Sequence, residues 1–215
     1  MPILRKDSLT RDQQLSDLYR YVVISISLTY LLGAVFYADS FHFWQHALSE
    51  LGTIRTLLGT PNLLSAFLVG LGMFITGWLL VEIARIYQNH PTIANHYPKS
   101  WLSFIAGIGS FVAIFPNDLF HVIHSVGIAM MIGPIFILEL IMLWGMKSIV
   151  GPIKTYLIIT ALSASVLTYA AAFFHYNNIQ QVSQKFCLFN LLVVLFQRSK
   201  FKREYPDIFH IQHQM

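Results

Sequence analysis

Hydrophobic residues gather along this chain in long blocks separated by short polar connections. A helix that crosses a bilayer needs about 20 mostly apolar residues. Four blocks meet that measure: Tyr21–Ala38, Leu63–Ala84, Leu119–Gly145 and Tyr156–Phe174. Two shorter ones are "WLSFIAGIGSFVAIFP", ending at Pro116, and "FCLFNLLVVLF". The latter is long enough only from about Asn178, which brings Gln180, Gln181, Gln184 and Lys185 to membrane depth or its edge. The pattern therefore predicts an all-α integral membrane protein, a six-helix bundle.

Composition agrees with this pattern. The 215 residues are 55% hydrophobic and only 11% charged, against about 25% charged in an average soluble domain. No linker or low-complexity tract divides the chain, so one domain is expected. The first block follows some twenty mostly polar residues and lacks a small-residue cleavage pattern, so it reads as a retained anchor rather than a signal peptide. The lone Cys187 offers neither a disulfide nor a cysteine-based metal site.

Charge then orients the bundle. Lysine and arginine collect on the cytoplasmic side of membrane proteins. Arg5, Lys6, Arg11 and Arg20 precede the first helix, Arg85 and Lys99 flank the second connection, and Lys147 and Lys154 flank the fourth. Arg198, Lys200, Lys202 and Arg203 follow the last helix, leaving Arg55 and Lys185 of the 14 basic residues for the other side. Both termini are expected in the cytoplasm: a 1–20 N-terminal segment, a 21–197 six-span domain and a basic 198–215 tail. In a prokaryote the membrane would be the plasma (inner) membrane. The net charge of +4 is thus a topology signal, with membrane lipids and not nucleic acid as the expected partner.

Sorting the polar residues by side raises a chemical question. "ADSFHFWQHALSELG", residues 38–52, crowds an aspartate, two histidines, a serine and a glutamate beside an apolar block. Helical spacing would place Asp39, His42, His46, Ser49 and Glu50 on one stripe. At the start of the fourth helix, "NDLFHVIHS" would put Asp118, His121 and Ser125 on one face with His124 beside them. His175 ends the fifth helix on the same side.

Imidazole and carboxylate suit a divalent metal such as zinc, with His42, His46, Glu50 and His175 as candidate ligands. If the site is catalytic, as in a metal- or histidine-dependent lipid hydrolase or transferase acting at a phosphoester or acyl ester, His121 or His124 would serve as base or metal ligand with Asp118 orienting it. Ser49, Gln180, Gln184 and Lys185 could line a cavity for a lipid headgroup, with Lys185 as its cation. Blander readings stand beside these. The first stripe also fits an amphipathic helix lying on the outer leaflet, and the glutamines fit interhelical hydrogen bonding. Pro134 predicts a kink in the fourth helix, and Glu139 is an intramembrane carboxylate whose partner the sequence does not name.

"SELGT" after the first helix, "TPN" before the second, "FP" closing the third and the histidine-bearing "FPNDLFHVIHSVGIA" resemble the Frag/DRAM/Sfk membrane proteins and related prokaryotic six-helix families. The resemblance covers the first four helices. It implies that Ser49, Glu50 and Gly52, with His121 or His124, match the group's polar positions, and that the protein belongs to membrane-lipid biology. Together these readings lead to a multi-pass protein that recognises, or recognises and modifies, a lipid headgroup through an outward-facing His/Asp/Glu site. The alternative is a non-enzymatic module, a small transporter, pH sensor or assembly partner, with interfacial histidines.

Overall fold

The computed structural model describes residues 2–173 and 178–204, and every regular element among them is helical. The long helices are α1 (Pro2–Val35), α2 (Leu63–Asn89), α3 (His96–Val112), α4 (His121–Gly145), α6 (Pro152–Phe173) and α7 (Asn178–Glu204). A four-residue α5 (Lys147–Val150) and a single 3-10 turn (Leu48–Gly52) complete the set. Among the described residues five stretches are long and apolar enough to cross a membrane: Arg11–Val35, Leu63–Asn89, His121–Gly145, Pro152–Ala172 and Ile179–Gln197. They coincide closely with the hydrophobic blocks of the sequence.

The sixth long helix differs in kind. At 17 residues and 1.5 Å per residue, α3 reaches about 26 Å, short of the roughly 30 Å hydrocarbon core. It packs along both α2 and α4, and glycines set those contacts. A Cβ at Gly77 of α2 would lie 2.9 Å from the Gly107 carbonyl of α3, and one at Gly127 of α4 would lie 2.5 Å from the Ala113 nitrogen just after α3. The backbones therefore meet without intervening side chains, as small residues allow in membranes.

Local chemistry explains the breaks. His90 and Pro91 stop α2, and Asn95 takes a left-handed φ of 55° before α3. Between α5 and α6, Gly151 adopts φ 92°, a region that favours glycine. Pro152 then opens α6, where its missing N–H costs nothing. The helix α1 passes through residue 20 without interruption. Its buried stripe runs Leu15, Tyr19, Val22 and Ile26, the spacing of one helix face.

In cross-section α1 packs against α2 and α7, α2 against α3, α3 against α4, and α6 against α7. Ser16 near the start of α1 donates its hydroxyl to the Ser199 carbonyl near the end of α7, so the described ends of these helices lie together. The opposite end, called distal below, carries residues 36–62 and 113–120. Among the described residues the seams of α4 with α6 and with α7 are thin. Along the core, Tyr19 and Tyr87 join their hydroxyls at 3.0 Å, and Glu139 is fully buried.

Candidate functional site at the distal end

The distal end is built around irregular backbone. Residues 36–47 form turns, with one helical bond from the His46 N–H to the His42 carbonyl at 3.0 Å. The continuous helical stripe expected from Asp39 to Glu50 is therefore absent. Its physical cause is visible at Ala47, whose extended backbone (φ −72°, ψ 149°) precedes the 3-10 turn. After that turn, Thr56 and Thr60 close a tight hairpin through the Thr56 N–H and the Thr60 carbonyl at 2.9 Å, with Gly59 at φ 86°.

Backbone groups near hydrocarbon need protein partners, and here side chains from four other places supply them. Lys185 of α7 donates to the His46 carbonyl at 2.7 Å and to the Gln181 carbonyl at 3.0 Å. Gln184 accepts the Leu48 N–H at 3.0 Å, and its amide also meets the Tyr169 hydroxyl of α6. Asn62 accepts the Ala38 N–H at 3.1 Å and donates to the Thr53 carbonyl at 3.0 Å. Ser65 of α2 donates to the carbonyls of Gly33 at 2.8 Å and Leu51 at 2.7 Å. Asp118 accepts the N–H groups of Ile54 and Arg55 at 3.1 Å each.

The predicted residues thus come together in part, in unforeseen roles. Gln184 and Lys185 turn inward as expected and hold the first loop, while Gln180 gives its carbonyl to the Ser183 hydroxyl at 3.0 Å. Asp118 holds loop backbone instead of orienting a histidine. His121 is exposed and its Nδ1 meets the Asn117 side chain at 2.9 Å. His124 is buried, with Nδ1 on the Phe115 carbonyl at 2.9 Å and the Ala113 carbonyl beside the ring. Those carbonyls lie where α3 has run out of helical donors, so the imidazole serves the end of that helix.

The His42 and His46 rings lie 5.8 Å apart between centroids, tilted by 60°, and His46 also lies 5.4 Å from Phe41. Glu50 accepts the Ala47 N–H at 3.0 Å through Oε1, and Ser49 sits half-buried in the 3-10 turn. Asp39 accepts the Thr60 hydroxyl at 3.1 Å. Burial, then the Glu50 and Asp39 carboxylates, raise the Tyr37 hydroxyl above its ordinary pKa. Among the described residues no three His, Cys, Asp or Glu side chains are grouped to hold a metal ion. His175, the remaining candidate ligand, lies outside the described residues.

Two features were not anticipated. Asn62 and Ser65 carry as much of the loop as Lys185 does, and the only trace of them in the sequence was the "TPN" stretch. The second is a groove of about 150 Å³ lined by Phe43, Trp44, Lys185, Phe186 and Phe189. Lys185 is 5% exposed at its wall, with the ammonium 5.2 Å from the Phe43 ring centroid. A search of protein-family models, curated proteins and solved structures finds no match to this chain.

Proposed function

We propose that the protein is a six-span membrane module, α3 serving as the sixth span, with both termini cytoplasmic, and that it recognises an anionic lipid headgroup at its distal end. The observation that carries this reading is the position of Lys185. A lysine ammonium has three donors, and two are spent on the carbonyls of His46 and Gln181. Among the described residues no carboxylate lies within ion-pair distance of it, and Glu50 acts on its charge from farther off. A buried cation in a membrane protein is costly unless an anion answers it. The adjoining aromatic groove supplies an apolar wall beside which a phosphate can approach the third donor.

The likeness of "SELGT" and "FPNDLFHVIHSVGIA" to the Frag/DRAM/Sfk group points to the same membrane-lipid setting. Recognition is better supported than turnover, because His124 spends its Nδ1 and Asp118 its carboxylate on backbone groups. Specific favour for a purely structural reading comes from the same contacts, since Lys185 also staples the loop.

The two readings separate on lipid retention. Full-length protein reconstituted in nanodiscs of phosphatidylcholine with phosphatidylglycerol, then stripped with detergent, should retain phosphatidylglycerol selectively by native mass spectrometry. Lys185→Gln should lower that retention at least five-fold and Lys185→Arg should keep it. Trp44→Ala, which touches none of the loop hydrogen bonds above, should lower it as well. Equal retention of both lipids, or no response to Lys185→Gln and Trp44→Ala, leaves Lys185 as a staple only.

A further inference from the structure

The thin α4–α6 seam encloses a cleft of about 270 Å³, walled by Ser125, Ala129 and Gly133 on α4 and by Val166, Tyr169 and Ala170 on α6. We infer that this cleft is a binding site for one hydrocarbon chain of a membrane lipid. The inference rests on the cleft alone and does not require the headgroup reading of Lys185.

Position decides the occupant. Both walls belong to helices long and apolar enough to cross a membrane, so hydrocarbon is the medium at their flank. Along α4 the cleft runs from Ser125 to Gly133, eight steps of 1.5 Å or about 12 Å. Half of the roughly 30 Å hydrocarbon core is about 15 Å. The site therefore matches the depth of one leaflet, distal end uppermost, and fits a chain lying along the helices rather than a ligand crossing between leaflets.

Residue choice keeps the cleft open. Three of its wall residues are alanine or glycine, and a Cβ at Gly133 would meet nothing within 4 Å. Such a gap is unlike the α2–α3 and α3–α4 contacts, where added carbon atoms would collide with backbone. Pro134 lies at the cleft's inner end. It gives no N–H to the Met130 carbonyl one turn earlier, which weakens the helix there and allows it to bend. Ser125 places a hydroxyl at the distal mouth, near the depth of acyl ester groups. Tyr169 forms part of the back wall, with its hydroxyl on Gln184. A mostly apolar pocket with a few polar groups at defined points is the usual form of a small-molecule site.

Photo-crosslinking tests this in the full chain. The protein would be reconstituted in phosphatidylcholine nanodiscs containing a phosphatidylcholine with a diazirine near the end of one acyl chain. After irradiation, adducts should concentrate on peptides covering 125–133 and 166–170, several-fold above those on the exposed α2 residues Phe67 and Leu71. Gly133→Leu, and separately Ala129→Leu, should reduce the cleft adducts at least five-fold. Gly145→Leu, at a position equally open to a Cβ but outside the cleft, should leave them unchanged. Adducts no denser in the cleft than on α2, or a cleft signal indifferent to both filling variants, would overturn the proposal.

Discussion

Lys185, on the last helix, donates a 2.7 Å hydrogen bond to the carbonyl of His46 in the first distal loop, across 139 residues of sequence. Beside it Gln184 accepts the Leu48 N–H. Two neighbouring side chains of α7 thus hold the segment that contains most of the chain's distal polar residues.

The strength of that hold can be read by amide exchange. Hydrogen bonds to charged groups contribute about 1.5–3 kcal/mol, and about 1.4 kcal/mol is a factor of ten. Lys185→Met should accelerate exchange of the amides of residues 46–53 about ten-fold or more. Its effect on global unfolding should be smaller, because the variant also removes a desolvated charge. Unchanged protection across 46–53 would mean that the loop holds itself.

Gln184→Leu acts differently. It leaves the Leu48 N–H without its acceptor and the Tyr169 hydroxyl without its amide, and an orphaned buried polar group costs about 1–3 kcal/mol. Thermal unfolding in detergent should shift downward, and Gln184→Glu, which keeps an acceptor, should shift it less.

Asp118 anchors the other side of the loop, so its loss should be visible to a protease. Arg55 is exposed, and its own N–H is one of the two that Asp118 accepts. Asp118→Ala should speed tryptic cleavage after Arg55 by about ten-fold, on the same scale of charged hydrogen bonds. Asp118→Asn retains an acceptor oxygen and should lie between the variant and the native protein.

The two histidines of α4 should part company. His121→Ala removes an exposed ring and should change stability by no more than about 0.5 kcal/mol. His124→Ala uncovers the carbonyls that end α3 and should cost about 1–3 kcal/mol. Equal effects in a denaturation series would count against the helix-end role of His124.

Orientation is accessible to chemical labelling. The only native cysteine, Cys187, is buried, so background reaction is low. Cysteine at Ser40, exposed at the distal end, should react with an impermeant thiol reagent outside intact cells. Cysteine at Asn89, exposed at the other end of α2, should not. The reverse pattern would place the termini outside.

How far the sequence reveals this molecule depends on the range of the interaction concerned. Apolar runs set spans, so the blocks beginning at Leu63 and Leu119 reappear as helices starting at Leu63 and His121. The inward turn of Gln184 and Lys185 was equally legible, because hydrocarbon gives such groups no partner. The stripe from Asp39 to Glu50 was not. Its spacing suits a helix, but the Asp39 carboxylate meets Thr60 and the His46 carbonyl meets Lys185, partners that no local period encodes. His124 was read as a candidate base because an ionisable ring in a span suggests chemistry, while its use by the end of α3 depends on two helices meeting at Gly109 and Gly127. The α4–α6 cleft left only Gly133 and Pro134 as traces, and an absence of contact has no sequence signature.

The long reach from α7 to the first loop also has a consequence in time. The loop's anchors at Asn62 and Ser65 emerge from the ribosome almost with it, but Gln184 follows Leu48 by 136 residues. At about 5–20 residues per second, that interval is roughly 7–27 s. During biosynthesis the distal cap therefore waits, half-fastened, for the final helix, and a nascent chain interrupted before α7 presents an open loop to membrane quality-control proteases.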